Sequence, residues 1–136
     1  MAAVSEPPLI ICVEDDESVR EAIKGLFVAL GFTAEVFSSA EEFLQSGRLE
    51  DTSCLITDIK LGGMSGIELQ NRLAASSYPI PVIVITAFPD DRTRTQALSA
   101  GAVGVLSKPI SKEELLTCIN SALKGGEDYR TTHVGA

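Results

Sequence analysis

Short apolar runs and amphipathic helical patterns take turns five times along this chain. Strand-like segments are expected near residues 9–13, 33–37, 53–57, 81–85 and 103–106. Between them, apolar residues recur at helical spacing: Val19, Ile23, Leu26, Phe27 and Leu30, then Ile67, Leu69 and Leu73, and later Leu115, Leu116, Ile119 and Leu123. Strands buried on both faces read as near-continuous apolar runs, and helical crossovers between parallel strands are right-handed, so few topologies remain. The expected fold is α/β: a flavodoxin-like, doubly wound, five-stranded parallel sheet in the order 2-1-3-4-5 with five helices. Its ligand crevice lies at the carboxyl ends of strands 1 and 3.

Local signals mark where the helices begin and end. Ser39-Ala40-Glu41-Glu42, Ser65-Gly66-Ile67-Glu68 and Ser111-Lys112-Glu113-Glu114 fit the capping box, in which serine and glutamate satisfy orphan amides reciprocally. Gly31, Gly47 and Gly101 stand where helices should stop. Pro89 suits a first helical turn, so the fourth helix is expected from about there to Ala100. At 136 residues the chain has room for one domain. We expect that domain over residues 9–124, with a flexible N-terminus (1–8) and a flexible polar tail (125–136) that contains His133, the single histidine.

Three of the apolar runs end in charge. Leu9-Ile10-Ile11-Cys12-Val13 leads into Glu14-Asp15-Asp16, Cys54-Leu55-Ile56-Thr57 into Asp58, and Val103-Gly104-Val105-Leu106-Ser107 into Lys108-Pro109. If these runs are parallel neighbours, their charges share one edge of the sheet. Like charges about 4 Å apart repel by about 4 kcal/mol at an effective dielectric of 20, so stability alone does not favour the arrangement. A bound cation would resolve the conflict. Hard oxygen ligands suit Mg²⁺, which keeps several waters and pairs one or two carboxylates with phosphate oxygens. Asp58, ending the middle strand, is then placed as a nucleophile toward a phosphoryl group, with Lys108 able to pair with the phosphoryl charge. The hydroxyl of Thr86, at the end of Val82-Ile83-Val84-Ile85, can bond a phosphoryl oxygen in the modified state alone and so draw the following loop with it.

Composition narrows the partners. A formal charge of −8, from 19 acidic against 11 basic residues, argues against direct nucleic-acid binding, which depends on lysine and arginine displacing counterions. Cys12, Cys54 and Cys118 read as small buried hydrophobes of a reducing compartment. Neither a signal peptide nor a run long enough to span a membrane is present in the sequence, so a cytoplasmic location is expected. Gly62-Gly63 is a flexible loop, since no phosphate-cradling lysine or dinucleotide fingerprint accompanies it.

Taken in order, Val13-Glu14-Asp15-Asp16-Glu17-Ser18-Val19-Arg20, Thr57-Asp58-Ile59-Lys60-Leu61-Gly62-Gly63-Met64-Ser65-Gly66, Ile85-Thr86-Ala87, Ala100-Gly101-Ala102 and Lys108-Pro109 resemble the receiver domain of two-component response regulators. The resemblance covers about residues 9 to 124 and is nearest to the branch of nitrogen-fixation and nodulation regulators. It implies Asp58 as phosphoacceptor, Glu14 and Asp15 as the metal-binding acidic pair, and Lys60 as donor of a backbone carbonyl to Mg²⁺. It further implies Thr86 as switch hydroxyl and Lys108 as phosphate-binding lysine. Asp16 competes with Glu14 for the acidic pair; Glu14 and Asp15 are preferred because they follow the strand directly. The implied function is a phosphoacceptor that takes a phosphoryl group from a sensor histidine kinase and switches a protein-interaction surface, not a turnover enzyme. Homodimerisation through the fourth helix and fifth strand, and a downstream protein partner, belong to the same expectation.

Four positions depart from the family pattern. Glu14 stands where aspartate is usual, Gly62 where proline is usual, Val105 where a switch aromatic is usual, and Ile110 where phenylalanine is usual. Phe88 and Lys60 are expected to flank the path of the hydrolytic water. Two alternatives remain: a magnesium-dependent phosphohydrolase with Asp58 as nucleophile, and a pseudo-receiver that binds partners unmodified. Against the first, Lys60 occupies the place two residues beyond Asp58 where a general acid would be needed, and no lid insertion is available.

Overall fold

A computed structural model of the chain describes residues 7–77 and 79–124. Parallel strands β1 (Leu9–Val13), β2 (Thr33–Phe37), β3 (Thr52–Asp58), β4 (Val82–Thr86) and β5 (Gly104–Ser107) alternate with helices α1 (Glu17–Leu30), α2 (Ala40–Leu44), α3 (Gly66–Ala74), α4 (Asp91–Ser99) and α5 (Lys112–Leu123). A short 3-10 turn, Leu49–Asp51, precedes β3. The sheet order is β2-β1-β3-β4-β5, as the sequence pattern predicts. The expected flexible tail, His133 included, and most of the expected flexible N-terminus lie outside the described residues.

The strands carry apolar side chains on both faces because each face has its own helical layer. Ile10, Cys12, Cys54, Ile56, Ile83 and Ile85 pack on one side with Ile23 and Phe27 of α1 and Leu115 and Ile119 of α5. Ile11, Val13, Leu55, Val82 and Val84 pack on the other with Phe43 of α2, Leu69 of α3 and Ala97 of α4. The period-two alternation of the strands thus divides one set of apolar runs between two cores. Phe27 and Phe43 are fully buried and each contributes roughly 1.5–3 kcal/mol over an exposed ring.

Helix ends follow the sequence in most places. Ser65 and Glu68 form the reciprocal capping box, and Gly31 closes α1 in the left-handed conformation at φ 82°. Ser39 and Ser111 supply the serine half of the motif to Glu42 and Glu114; Glu42 turns its carboxylate to the Ser38 amide instead. Pro89 does not enter α4. Asp90 is the N-cap, its carboxylate accepting from the Thr93 amide, so the helix starts at Asp91. A carboxylate that satisfies an orphan amide outweighs a proline whose merit is the amide it lacks.

Candidate functional site

Register brings the charged strand ends to one level. Val13 pairs with Thr57, Asp58 with Ile85, and Thr86 with Ser107. The residues one step further, Glu14 after β1 and Lys108 after β5, therefore flank Asp58 and Thr86 at the same carboxyl edge. Asp58 is the last residue of β3 and Thr86 the last of β4, each one position further into the sheet than the apolar runs suggest. Both are buried, and Glu14 is fully so.

The Lys108 ammonium links two of the carboxylates, at 2.6 Å from Asp58 Oδ2 and 2.8 Å from Glu14 Oε1. Glu14, Asp15 and Asp58 each bring a carboxylate oxygen within 4.8 Å of the others. The sequence-predicted residues thus converge, Asp15 exposed and the other two carboxylates buried. Asp16 does not join them. It caps α1, accepting from the Ser18 and Val19 amides and the Ser18 hydroxyl. The Ser18 hydroxyl first, then the Val19 amide, hold its carboxyl below the usual range. The Lys108–Pro109 peptide bond is cis.

Burial pushes the Glu14 carboxyl above its usual range, against the hydrogen bonds from Lys108 and the Asp16 amide. For Lys108, burial acts to lower the pKa, but hydrogen bonds and charge from Asp58 and Glu14 outweigh it and hold the ammonium above its ordinary value. Glu14 Oε1 is buried, with the Lys108 ammonium 2.8 Å away. Three carboxylates gathered within reach of one another, all of them hard oxygen donors, fit a divalent cation such as Mg²⁺. Cys12, buried behind the site, has its thiol pushed far up by burial and then by the Glu14 charge, so it packs as a hydrophobe.

Thr86 Oγ1 accepts the Phe88 amide at 3.1 Å, and its carbonyl accepts the Lys108 amide at 2.9 Å. The Thr86 hydroxyl is therefore tied into the loop that would follow it. The Lys60 amide donates to Asp58 Oδ1 at 3.2 Å, while its ammonium lies 5.1 Å from the centre of the exposed Phe88 ring. Lys60 and Phe88, expected to flank the path of the hydrolytic water, thus form a cation–π pair with each other.

Two supporting residues have roles that the sequence reading did not assign. Arg20 Nη1 donates to the carbonyls of Glu14, at 3.0 Å, and Asp15, at 3.3 Å, and so fixes the turn that carries both. Glu41 of α2 accepts the Met64 amide at 2.9 Å. Arg20 lies four residues past Asp16, a spacing that could have suggested a cap-like reach back; Glu41 carries no such signal, because its partner is remote in sequence.

The response regulator receiver domain model matches residues 10–120. Nodulation protein W of Bradyrhizobium diazoefficiens is 40% identical over 118 residues, which are 87% of this chain and 52% of that protein. Response regulator protein TodT of Pseudomonas putida is 38% identical over 123 residues, 90% of this chain and 54% of that protein. The chain spans about half the length of the curated relatives it matches. The crystal structure of FixJ-N superposes with a TM-score of 0.80 at 31% identity, covering 89% of this chain and 97% of that one. Response regulator StyR gives 0.80 at 38% identity, covering 96% of this chain and 66% of that one. A match that runs from β1 into α5 takes in every strand of the sheet and the whole charged edge, and by it the chain belongs to the response regulator receiver domain family, the phosphoacceptor modules of two-component signalling.

Proposed function

We propose that Asp58 is the phosphoacceptor of this receiver, with Glu14, Asp15, Asp58 and the Lys60 backbone carbonyl holding Mg²⁺. The observation that carries the reading is the ammonium of Lys108 standing between Asp58 and Glu14 at the carboxyl edge of the sheet. An Asp58 carboxylate oxygen attacks the phosphorus of a phosphohistidine on a sensor kinase. The new O–P bond forms as the P–N bond breaks, and the departing imidazole takes up a proton. Bound Mg²⁺ supplies neutralisation of the developing phosphoryl charge. Lys108, freed from one of its carboxylates, pairs with the transferred group. The Thr86 hydroxyl turns to the phosphoryl oxygen, gives up the Phe88 amide, and so moves the β4–α4 loop.

The output follows from that movement. Arg94 and Leu98 of α4, Val105 of β5, and Glu113 and Cys118 of α5 line a groove of about 560 Å³ on the face formed by α4, β5 and α5. We read this face as the surface that switches, toward a downstream protein or a second copy of the chain through α4 and β5. Val105 is half-buried against the α2–α4 core, an aliphatic side chain where the family usually carries an aromatic. The acidic balance favours protein partners over nucleic acid. No helix among the described residues is long and apolar enough to cross a membrane. The unpaired cysteines suit the reducing cytoplasm in which such a kinase would work.

Neither alternative is favoured. Lys60, two residues beyond Asp58, sets an ammonium where a phosphohydrolase would need its general acid. The test is labelling with acetyl phosphate and Mg²⁺: wild type takes up one phosphoryl group per chain and then stops, and Asp58→Asn takes up none. Steady hydrolysis of a phosphate ester would favour the hydrolase, and failure of both acetyl phosphate and beryllofluoride to perturb the protein would favour an unmodified binding module.

A further inference from the structure

The loop between β3 and α3 carries Lys60, Gly62 and Gly63, and two carboxylates from other parts of the chain hold it. Asp15 Oδ2 accepts the Gly62 amide at 3.2 Å; on the other side Glu41 Oε2 accepts the Met64 amide at 2.9 Å. Glu41 stands outside the acidic cluster of Glu14, Asp15 and Asp58. Its contact with the loop is close. A Cβ at Gly63 would sit 2.7 Å from Glu41 Oε2, and Gly63 itself has φ 86°, so a side chain there would be strained as well as obstructed. The second oxygen, Glu41 Oε1, is buried without a hydrogen-bond partner among the described residues. The Met64 amide holds the Glu41 carboxyl below its usual range.

We propose that Glu41 is a positioning residue for the cation site: by gripping the Met64 amide it holds the β3–α3 loop where the Lys60 carbonyl can join Asp15 and Asp58. The inference rests on the reading of that cluster as a Mg²⁺ site. Two glycines give the loop little stiffness of its own, and Asp15, its other anchor, is also required by the cation. Glu41 is not, so its grip persists when the cation is bound. Groups that orient the ligands of a metal without touching it commonly govern its affinity.

Mg²⁺ titration of the metal-free protein, followed by amide NMR shifts, tests this without reference to phosphorylation. Glu41→Ala should raise the Kd for Mg²⁺ about tenfold. Glu41→Gln, whose amide oxygen can still accept from Met64, should stay within about twofold of wild type. Hydrogen exchange at Met64 should quicken in Glu41→Ala while the Leu55 and Ile56 amides keep their protection, a local release that a general loss of stability would not produce. Phosphorylation of Glu41→Ala at saturating Mg²⁺ should return to the wild-type rate. Should the alanine variant fail to fold, Glu41→Asp shortens the reach, keeps the charge, and should show the same weakened binding. Wild-type affinity in Glu41→Ala, or equal loss in Glu41→Gln, overturns the role of Glu41. Wild type that takes up no Mg²⁺ overturns the cation-site reading itself, an outcome read from the wild-type titration alone.

Discussion

Glu14 and Gly66 show how narrowly single residues are constrained around Asp58. A methyl on Gly66 would run into the Asp58 carbonyl oxygen and lie 3.0 Å from Ile59 Cα, both backbone atoms that cannot swing aside. Gly66→Ala should therefore destabilise the fold by about 1–3 kcal/mol, seen as a lower urea midpoint, and should depress acetyl-phosphate labelling at Asp58 as well. Glu14 carries a titration that stability can report. Burial raises its pKa above the ordinary 4.5, so the folded chain keeps that proton at pH values where the unfolded chain has lost it. In metal-free buffer the wild type then loses stability as pH rises through that window, and Glu14→Gln has no such loss. The Tm of Glu14→Gln relative to wild type should climb as pH rises above about 4.5; a constant difference would refute the raised carboxyl. Glu14, Asp58, Thr86 and Lys108 were legible in the sequence because each stands at the end of an apolar run, where a parallel sheet must deliver it to one edge. Glu41 was not, because it reads as part of a helix cap and its target, Met64, is 23 residues away on a loop whose path no local pattern encodes.

At the level of elements, caps decide boundaries that periodicity leaves open. The Ser65–Glu68 box satisfies two amides at the start of α3, the helix that follows directly on the β3–α3 loop. Ser65→Ala should cost about 1 kcal/mol in urea unfolding. Near-zero cost would mean that Gly66 packing alone sets the start of the helix. The same logic explains the shifted start of α4. Pro89 suits a first helical turn by sequence, but the start is set one residue later, where the Asp90 carboxylate folds back to the Thr93 amide. Strand ends moved by one residue for a related reason. Asp58 and Thr86 are polar and look like loop residues, yet their backbones still pair, Asp58 with Ile85 and Thr86 with Ser107. One tie between helices escapes pattern reading altogether: buried Gln70 of α3 donates to the Ala97 carbonyl of α4 at 3.1 Å, and within a helical stripe it reads as one polar interruption.

For the whole molecule, a ligand that binds only the assembled sheet edge stabilises every element that builds it. Mg²⁺ at about one hundred times its Kd should add about 2.7 kcal/mol, which raises the Tm by roughly 10 °C. The shift should shrink in Asp58→Asn, and an unshifted wild-type melt would count against a divalent site. Overall topology was the most legible level, since alternating patterns and right-handed crossovers leave few arrangements, whereas the partner remains outside what residue chemistry encodes. Three carboxylates, Glu14, Asp15 and Asp58, meet one ammonium, Lys108, at the sheet edge, and the sum is two uncancelled negative charges. A singly charged ion such as potassium leaves half of that imbalance standing, and a trivalent one overshoots it. A cation held at these strand ends would therefore be selected by valence before radius.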